Sequence, residues 1–369
     1  MDLKRILVFR TGHLGDTLVA VPAFWALRHA FPRSAIAYLS SADAANPQYV
    51  SARDVLPQTG MFDEWISYPN LSSGFGDLVS LIRLALKIRR KRFDAVFYMM
   101  TRYRTARQIE RDRIFFRLAG IPNIIGADFV GEHNLPLEIP KPVPRIEKEG
   151  TFLLRLLRES GIIDGKREFE PELALTDEER GAVHEWIDST GITKYAGPQI
   201  AVGPGSKWDS KIWNEDRFAD VVSRLIAAHD VVPIIFGGPE DREKGERLIR
   251  IWGRGANAAG ALNVRKAAAA LSECTFYLGN DTGTMHLAAA VGTTCVAMFS
   301  AVDWAGRFEP SGTQHVLFRR SVECEGCHSP GCLNKEHRNK CLELIAADDV
   351  FEACVSVLER EAHPSRAAL

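Results

Sequence analysis

The sequence predicts an α/β protein with two Rossmann-like parallel-sheet domains that face each other across a cleft. Short apolar runs, typical of strands buried on both faces, alternate with amphipathic helical segments. The alternation stops near residue 164 and restarts near residue 199, and 369 residues are enough for two domains. Strands that are joined by helices form parallel sheets with helices on both faces.

The first half of the chain contains three predicted strands, the apolar runs Ile6–Phe9, Ile36–Leu39 and Ala95–Met99. Apolar residues that share one helical face predict helices over residues 18–25, 78–86 and 152–157. Pro22 fits poorly in a helix that begins at Gly15, so we expect the first helix to start irregularly.

The second half repeats the pattern after a stretch that is rich in Gly and Pro and holds one short helix, Asp177–Ser189. Its predicted strands cover residues 200–202, 231–236, 275–278 and 295–299. Its predicted helices cover residues 218–225, 285–291 and 350–358. Pro233 should lie at a strand start, an edge or a bulge, because it cannot donate a ladder hydrogen bond. We therefore divide the chain into domains 1–175 and 199–345, a linker 176–198 and a C-terminal helical segment 346–369.

Charge and hydropathy argue against two classes of protein. The chain has 46 Lys and Arg against 47 Asp and Glu, so a strongly basic nucleic-acid binder is not expected. No apolar run approaches the roughly 20 residues of a membrane-spanning helix. The N-terminus, Met1–Ile6, lacks the features of a signal peptide. We expect a cytoplasmic protein whose seven cysteines are mostly reduced.

Four polar, glycine-containing loops follow predicted strands and carry the candidate functional residues. They are Thr11–Asp16, Gly203–Asn214, Gly237–Asp241 and Gly279–Ala290. Ligands of parallel sheets bind beyond the carboxyl ends of the strands, so one cleft would collect all four loops.

The first three loops each allow a functional and a structural interpretation. Asp16 could accept a hydroxyl proton as a general base, or it could only cap a helix. Lys207 or Lys211 could neutralise phosphate charge, or both could be solvated. Glu240 or Asp241 could hydrogen-bond a ribose or sugar hydroxyl, or they could cap a turn.

The fourth loop gives the strongest signal, because a strand ends there and an Ala-rich helix begins. The N–H groups of Thr282, Gly283 and Thr284 would point at an anion such as a diphosphate, and His286 could add a donor. In the structural interpretation, Asp281 is a plain N-cap and His286 belongs to the packing of the helix.

Together, these motifs resemble glycosyltransferase family 9, which includes the ADP-heptose:lipopolysaccharide heptosyltransferases. The resemblance covers about residues 3–360, with the motifs in matching order in both halves. The motifs are Arg10-x4-Gly15-Asp16-x5-Pro22, Lys211-x-Trp213, Gly237-Gly238-Pro239-Glu240 and Asp281-Thr282-Gly283-x2-His286-Leu287-Ala288. The resemblance implies a GT-B fold in which the C-terminal domain mainly holds the donor and the C-terminal helix crosses back to the N-terminal domain.

The resemblance also implies roles for individual residues. Asp16 would be the catalytic base, Lys211 would contact the donor phosphate, and Glu240 would bind the donor nucleoside. Leu262 stands where the family has a backbone contact to the base. The other implied substrate-binding residues are Thr11, Gly12, Gly15, Asp281, Thr282, Gly283 and His286. Asn214 replaces a Pro that is usual in the family, a departure that concerns loop shape.

The implied reaction is an inverting transfer of a sugar, heptose in the family, from a nucleotide-diphosphate sugar such as ADP-heptose. The acceptor would be a lipopolysaccharide core or a related surface glycan, and neither a metal nor another cofactor would be required. Two other functions remain open: a nucleotide-sugar epimerase of the same architecture, and a sugar-nucleotide-binding protein without turnover. Retention of Asp16 argues against the second.

Two further features lie outside the core motifs. Residues 83–117 hold twelve Lys or Arg and only three acidic residues, which suggests an anionic lipid-linked glycan or the inner membrane surface as a partner, or else solvated helix faces. Cys324, Cys327, Cys332 and Cys341 have a spacing that could hold zinc or iron, or could form a reduced, packed loop.

Overall fold

A computed structural model describes residues 2–42, 50–69, 75–165 and 167–362. It shows that the chain folds into two compact units. The first unit consists of residues 1–138 and 149–170, and the second of residues 139–148 and 171–369. Among the described residues, no helix is long and apolar enough to cross a membrane.

The first unit is built on a five-stranded parallel sheet with the order β3-β2-β1-β4-β5. Its strands are β1 Arg5–Phe9, β2 Ala35–Ala42, β3 Glu64–Pro69, β4 Ala95–Tyr98 and β5 Asn123–Ile125. Its helices are α1 Leu14–Leu18, α2 Val21–Ala30, α3 Ala52–Val55, α4 Phe75–Lys91, α5 Ala106–Leu118, α6 Ala127–Glu132 and α7 Glu149–Glu159.

The second unit is built on a six-stranded parallel sheet with the order β11-β10-β9-β6-β7-β8. Its strands are β6 Gln199–Gly203, β7 Val232–Ile235, β8 Ala256–Asn257, β9 Phe276–Asn280, β10 Thr294–Phe299 and β11 Val316–Arg319. Its helices are α8 Asp177–Thr190, α9 Glu215–His229, α10 Arg242–Trp252, α11 Val264–Ser272, α12 Gly283–Ala289, α13 Lys340–Glu343 and α14 Ala347–Ala362. Single 3₁₀ turns lie at Ile192–Lys194, Asp209–Lys211 and Pro239–Asp241.

The predicted fold class of two Rossmann-like units is confirmed, and so are the predicted strands. β1, β4, β6 and β9 are buried almost throughout, as unbroken apolar runs require in a parallel sheet covered on both faces. The sequence analysis missed β3, β5, β8 and β11, because these edge or near-edge strands are short or partly exposed and lack a strong apolar run.

Both proline expectations are confirmed. The first helical region is interrupted: α1 ends at Leu18, and α2 begins at Val21 with Pro22 in its first turn, where a missing N–H costs nothing. Pro233 is the second residue of β7 and precedes Ile234, where pairing with β8 begins.

The units differ from the domain boundaries drawn from the sequence. Residues 139–148, assigned to the first domain, belong to the second unit, where Lys148 Nζ donates to the carbonyls of Pro310 at 2.7 Å and Gly312 at 2.8 Å. The predicted linker contains α8, which packs against α11 and is joined to it by the Glu179–Arg265 ion pair. Helix α14 packs on α9 in the second unit, and its return to the first domain stays a prediction.

Candidate active site

The Asp16 loop lies at the point where the first sheet changes direction. The chain runs from β1 outward through β2 and β3, and it then returns to place β4 on the other side of β1. The loop after β1 leads into α1, and Arg10 joins it to the end of β4. Such switch points are where open α/β sheets bind ligands, because the connections on either side diverge and leave a crevice.

The carboxylate of Asp16 caps its own helix. Its Oδ2 accepts a hydrogen bond from the backbone N–H of His13 at 2.9 Å, in a capping arrangement at the start of α1. The structural interpretation of Asp16 is therefore correct as far as it goes. It does not exclude the catalytic one, since Asp16 is only partly buried and a carboxylate has several acceptor sites.

Two neighbours fix the position of Asp16. Arg10 is fully buried, and it donates from Nε to the Asp16 carbonyl at 2.8 Å and from Nη1 to the Met99 carbonyl at 2.7 Å. Gly12 has φ +149°, and a Cβ there would lie 2.4 Å from the Asp16 Cβ. The sequence analysis gave Gly12 a binding role, but the structure shows that it also provides space for Asp16.

Lys211 and Asp281 meet at the corresponding point of the second sheet. Lys211 follows β6 and Asp281 follows β9; these strands are neighbours although β7 and β8 lie between them in the sequence. Lys211 Nζ lies 2.6 Å from Asp281 Oδ2, and the side chains are 17% and 8% exposed. Lys211 Nζ also lies 5.5 Å from the Trp208 ring centroid, a cation–π distance.

Asn280 holds the Lys211 loop against the end of β9. Its Oδ1 accepts from the Trp213 backbone N–H at 3.0 Å, and its Nδ2 donates to the Pro204 carbonyl at 3.0 Å. Trp213 is fully buried and donates from Nε1 to the Ile345 carbonyl at 3.2 Å. The sequence analysis missed Asn280, although its position beside Asp281 was a usable signal.

The Gly237–Asp241 loop follows β7 and separates its two acidic residues. Glu240 is exposed, and its carboxylate lies over Gly238, where a Cβ would come within 2.3 Å of Glu240 Oε2. Asp241 points towards Gly205, whose added Cβ would lie 1.9 Å from Asp241 Oδ1. Burial raises the pKa of Asp241, although Lys244 and the Gly238 N–H act to lower it and Glu240 adds to the rise.

The loop that carries Leu262 and the loop that carries Glu240 approach each other closely. Gly260, with φ +69°, is so near Pro239 that an added Cβ would be 2.9 Å from the Pro239 Cα. Leu262 follows two residues later, and its N–H donates to the Ala258 carbonyl at 3.4 Å.

The residues of the fourth loop open α12. Thr282 has an extended conformation and precedes the helix, Gly283 is the first helical residue, and the Thr282 side chain does not cap the first turn. His286 is 5% exposed, and its ring lies edge-on to Phe308 with the centroids 6.2 Å apart. The burial and ring contact of His286 support its structural interpretation. Anion binding by the N–H groups at the start of α12 stays a prediction.

The basic segment is partly neutralised within the first unit. Arg102 is buried against Glu149, Arg104 and Arg111 approach Asp112, and Lys91 and Arg113 pair with Glu64 and Asp128. The local excess of charge is therefore smaller than the sequence count, and the residues that stay exposed lie mainly on α4 and α5.

The four clustered cysteines surround one small cavity. Cys324, Cys327, Cys332 and Cys341 all line it, and all are free thiols. Burial raises the pKa of the Cys327 and Cys341 thiols. Within the described ranges, no group of three or more His, Cys, Asp or Glu is arranged to hold a metal ion. The structure thus brings the four cysteines of the sequence motif together around one cavity.

Comparison with known proteins identifies the family. Residues 81–337 match the model for glycosyltransferase family 9 (heptosyltransferase). Lipopolysaccharide heptosyltransferase 2 of Escherichia coli K12 is 24% identical over 313 residues, which cover 80% of this chain and 82% of that protein.

Solved structures of the same kind share the fold. The glycosyl transferase family 9 structure from Veillonella parvula DSM 2008 has a TM-score of 0.73 and 21% identity, over 97% of both chains. E. coli ADP-heptose lps heptosyltransferase II has a TM-score of 0.68 and 18% identity, over 97% of this chain and 99% of that one. The likeness establishes the GT-B fold, and, because the family match spans well over half of the chain, this protein belongs to glycosyltransferase family 9 and is a glycosyltransferase.

Proposed function

We propose that this glycosyltransferase moves a heptose from ADP-heptose to a lipopolysaccharide core or a related surface glycan, with inversion and with Asp16 as the general base. One observation carries the proposal: charged residues of three family motifs lie at the switch points of the two sheets, Asp16 beside β1 and the Lys211–Asp281 pair between β6 and β9. The E. coli relative named lipopolysaccharide heptosyltransferase 2 supports the choice of sugar and acceptor.

In this mechanism Asp16 removes the proton from the acceptor hydroxyl as that oxygen attacks the anomeric carbon of the donor. The new carbon–oxygen bond forms while the bond from the anomeric carbon to the diphosphate breaks, and the electron pair leaves with the diphosphate. Arg10 and Gly12 act as positioning residues, because they fix the backbone and the space in which the Asp16 carboxylate lies.

The departing diphosphate requires positive charge, and Lys211 provides it in the proposal. Its ammonium group is held 2.6 Å from Asp281, so the cation is fixed before the donor arrives. The N–H groups at Thr282 and Gly283 add fixed dipoles beside it. The Asp281 carboxylate would repel phosphate, and we therefore assign it to Lys211 and to hydroxyl groups of the donor rather than to the anion.

The nucleoside of the donor is assigned to the loops after β7 and β8. The exposed Glu240 carboxylate can accept hydrogen bonds from ribose hydroxyls, and the backbone at Leu262 can contact the base. The close approach of Gly260 to Pro239 brings the two loops together, which supports the assignment of both loops to the nucleoside.

A donor-turnover assay tests the proposal against its two alternatives. Purified protein is incubated with ADP-heptose, with and without a lipopolysaccharide acceptor, and ADP release and donor isomerisation are measured. Release that depends on the acceptor is the expected result. Isomerisation without release would indicate an epimerase, and binding without either reaction would indicate a non-catalytic binding protein.

We also propose that α4 and α5 bring the protein into peripheral contact with an anionic membrane surface. Leu78, Ile82 and Leu86 share one face of α4 because they are four residues apart, and each is at least 50% exposed. On α5, which contacts α4, Ile114 and Leu118 are 51% and 69% exposed. Exposed basic residues flank them: Arg83, Lys87, Arg89, Arg90, Arg107 and Arg117. Two contacting helices that expose both apolar and basic side chains favour a negatively charged lipid interface.

Vesicle co-sedimentation tests this contact. The protein should bind vesicles that contain phosphatidylglycerol and not vesicles of phosphatidylcholine alone. Ile82→Ser should reduce binding several-fold, whereas Ile251→Ser, which changes an exposed isoleucine on α10, should not. Equal binding of both variants would contradict the proposal.

A further inference from the structure

The cavity between the four clustered cysteines borders the turn that carries Lys211. Ser210 and Asn339 line this cavity together with the cysteines. Ser210 directly precedes Lys211 and is only 2% exposed. The 3₁₀ turn Asp209–Lys211 therefore packs against residues 322–341, which we call the cysteine segment. The proposed function gives this segment no role.

Ser210 joins the turn to the cysteine segment by two hydrogen bonds. Its backbone N–H donates to the Pro330 carbonyl at 3.1 Å, and its Oγ donates to the Ser329 carbonyl at 2.6 Å. Both bonds link residues about 120 positions apart in the chain. The side chain of Ser210 thus points away from solvent and fixes the backbone immediately before Lys211.

Asn339 holds the same turn from the other end of the cysteine segment. Its Nδ2 donates to the Asp209 carbonyl at 2.8 Å and to the Ile212 carbonyl at 3.4 Å, which lie on either side of Lys211. Asn339 has φ +58°, a left-handed conformation that Asn adopts more readily than most residues. Its own N–H donates to Cys332 Sγ at 3.1 Å. Asn339 therefore connects a thiol of the cluster to the Lys211 turn.

An aromatic contact adds a third link. The His328 ring lies edge-on to the Trp208 ring with the centroids 5.9 Å apart, and the Trp208 centroid lies 5.5 Å from Lys211 Nζ. His328 is anchored in turn, because its N–H donates to the Val302 carbonyl at 2.9 Å, just beyond β10. The cysteine segment thus also fixes the aromatic ring beside the ammonium group.

Lys211 depends on these links because its side chain is long and flexible. A lysine ammonium sits on a four-carbon stem, so its position is defined only where the backbone below it is fixed. Asn280 holds Trp213, beyond the turn, and the cysteine segment holds the turn itself. The 2.6 Å contact between Lys211 Nζ and Asp281 would be lost if the turn moved by about 1 Å, a displacement that can lower catalytic rates strongly.

We propose that the cysteine segment positions Lys211 for the donor diphosphate, with Ser210 and Asn339 as the positioning residues. The proposal rests on the proposed function, since it takes Lys211 as the cation that meets the diphosphate. Ser210 and Asn339 act through the Lys211 turn and do not themselves contact the donor.

Two ligands that differ only in their phosphates test this role. ADP and adenosine are titrated by calorimetry into the wild-type protein, Ser210→Ala and Asn339→Gly; glycine suits the φ of +58° at residue 339. The Kd for ADP should rise about fivefold in each variant, because the lost hydrogen bonds lower the fraction of molecules in which Lys211 is in place. The Kd for adenosine should change by less than about twofold, because adenosine has no phosphate for Lys211 to meet.

The same substitutions in a Lys211→Ala background distinguish positioning from general stability. Two residues that act through a third lose their effect once the third is removed. Lys211→Ala should itself weaken ADP binding. Ser210→Ala or Asn339→Gly added to it should then change the Kd for ADP by less than about twofold.

Matched controls come from bonds that stay inside the cysteine segment. Ser329 Oγ donates to the Gly331 carbonyl, and Asn334 Oδ1 accepts from the N–H groups of Glu336 and His337. Ser329→Ala and Asn334→Gly should leave the Kd for ADP close to the wild-type value.

Four results would overturn the positioning role. They are an equal loss of affinity for ADP and adenosine, no loss for either ligand, the same loss in the controls, and an undiminished loss in the Lys211→Ala background. Wild-type affinity of Lys211→Ala for ADP would instead contradict the role of Lys211 in the proposed function. Failure of the wild-type protein to bind ADP would contradict the proposed donor, and the positioning role would fall with it.

Discussion

The ion pair between Lys211 and Asp281 gives the sharpest stability prediction. At 2.6 Å and an effective dielectric constant of about 20, the attraction is about 6 kcal/mol before desolvation is subtracted. Lys211→Met removes the cation and leaves the 8% exposed Asp281 carboxylate unpaired. Loss of one partner of a buried pair typically costs about 3 kcal/mol. In a unit of roughly 200 residues, this loss lowers Tm by about 6–12 °C.

The double variant Lys211→Met/Asp281→Asn isolates the pair. It should recover part of the lost stability, because the asparagine does not leave an unpaired charge in the site. Lys340→Met breaks an exposed pair with Glu323 in the same unit and serves as the control, for which we expect little change in Tm. Differential scanning calorimetry measures all of these variants.

The energetic argument for the pair would be refuted by either of two results. One is a Tm for Lys211→Met that matches the Tm of the Lys340→Met control. The other is a double variant that is less stable than Lys211→Met alone. Either result would mean that Lys211 and Asp281 are both effectively solvated, and the fixed cation of the proposed mechanism would be lost with them.

Three further predictions concern the loops. Asp16→Asn should lower kcat at least 10³-fold with an unchanged Kd for the donor. Asp54→Asn changes the same capping position in α3 and should leave kcat unchanged. Equal kcat values for the two variants would reject Asp16 as the general base. Gly12→Ala should abolish most turnover and lower Tm, because the new Cβ would displace Asp16. Gly161→Ala has open space around the new Cβ and should lower Tm only through its φ of +68°. Wild-type turnover in Gly12→Ala would contradict this prediction. Since burial raises the pKa of Asp241, its stabilising contribution is complete below pH 3.8 and is lost as the pH rises through the folded-state pKa. Asp241→Asn should therefore gain Tm over wild type above that pH and not below it, and an equal difference at pH 3 and 7 would reject the assignment.

The sequence by itself determined the architecture and the positions of the main motifs. Unbroken apolar runs predicted the buried parallel strands, since a strand covered on both faces has no polar side to show. Proline restrictions predicted the broken start of the first helix. The positions of the motif loops were also predicted, because a glycine-containing turn after a buried strand can be recognised in the local sequence.

Only the tertiary structure decided which side chains meet. Lys211 and Asp281 are 70 residues apart, and their contact depends on the order of β6 and β9 in the sheet, which local patterns do not encode. The same holds for residues 139–148, which belong to the second unit, where Lys148 donates to the carbonyls of Pro310 and Gly312. Strand order and cavity shape arise from packing between distant segments, whereas periodicity and turn chemistry depend only on neighbours in the chain.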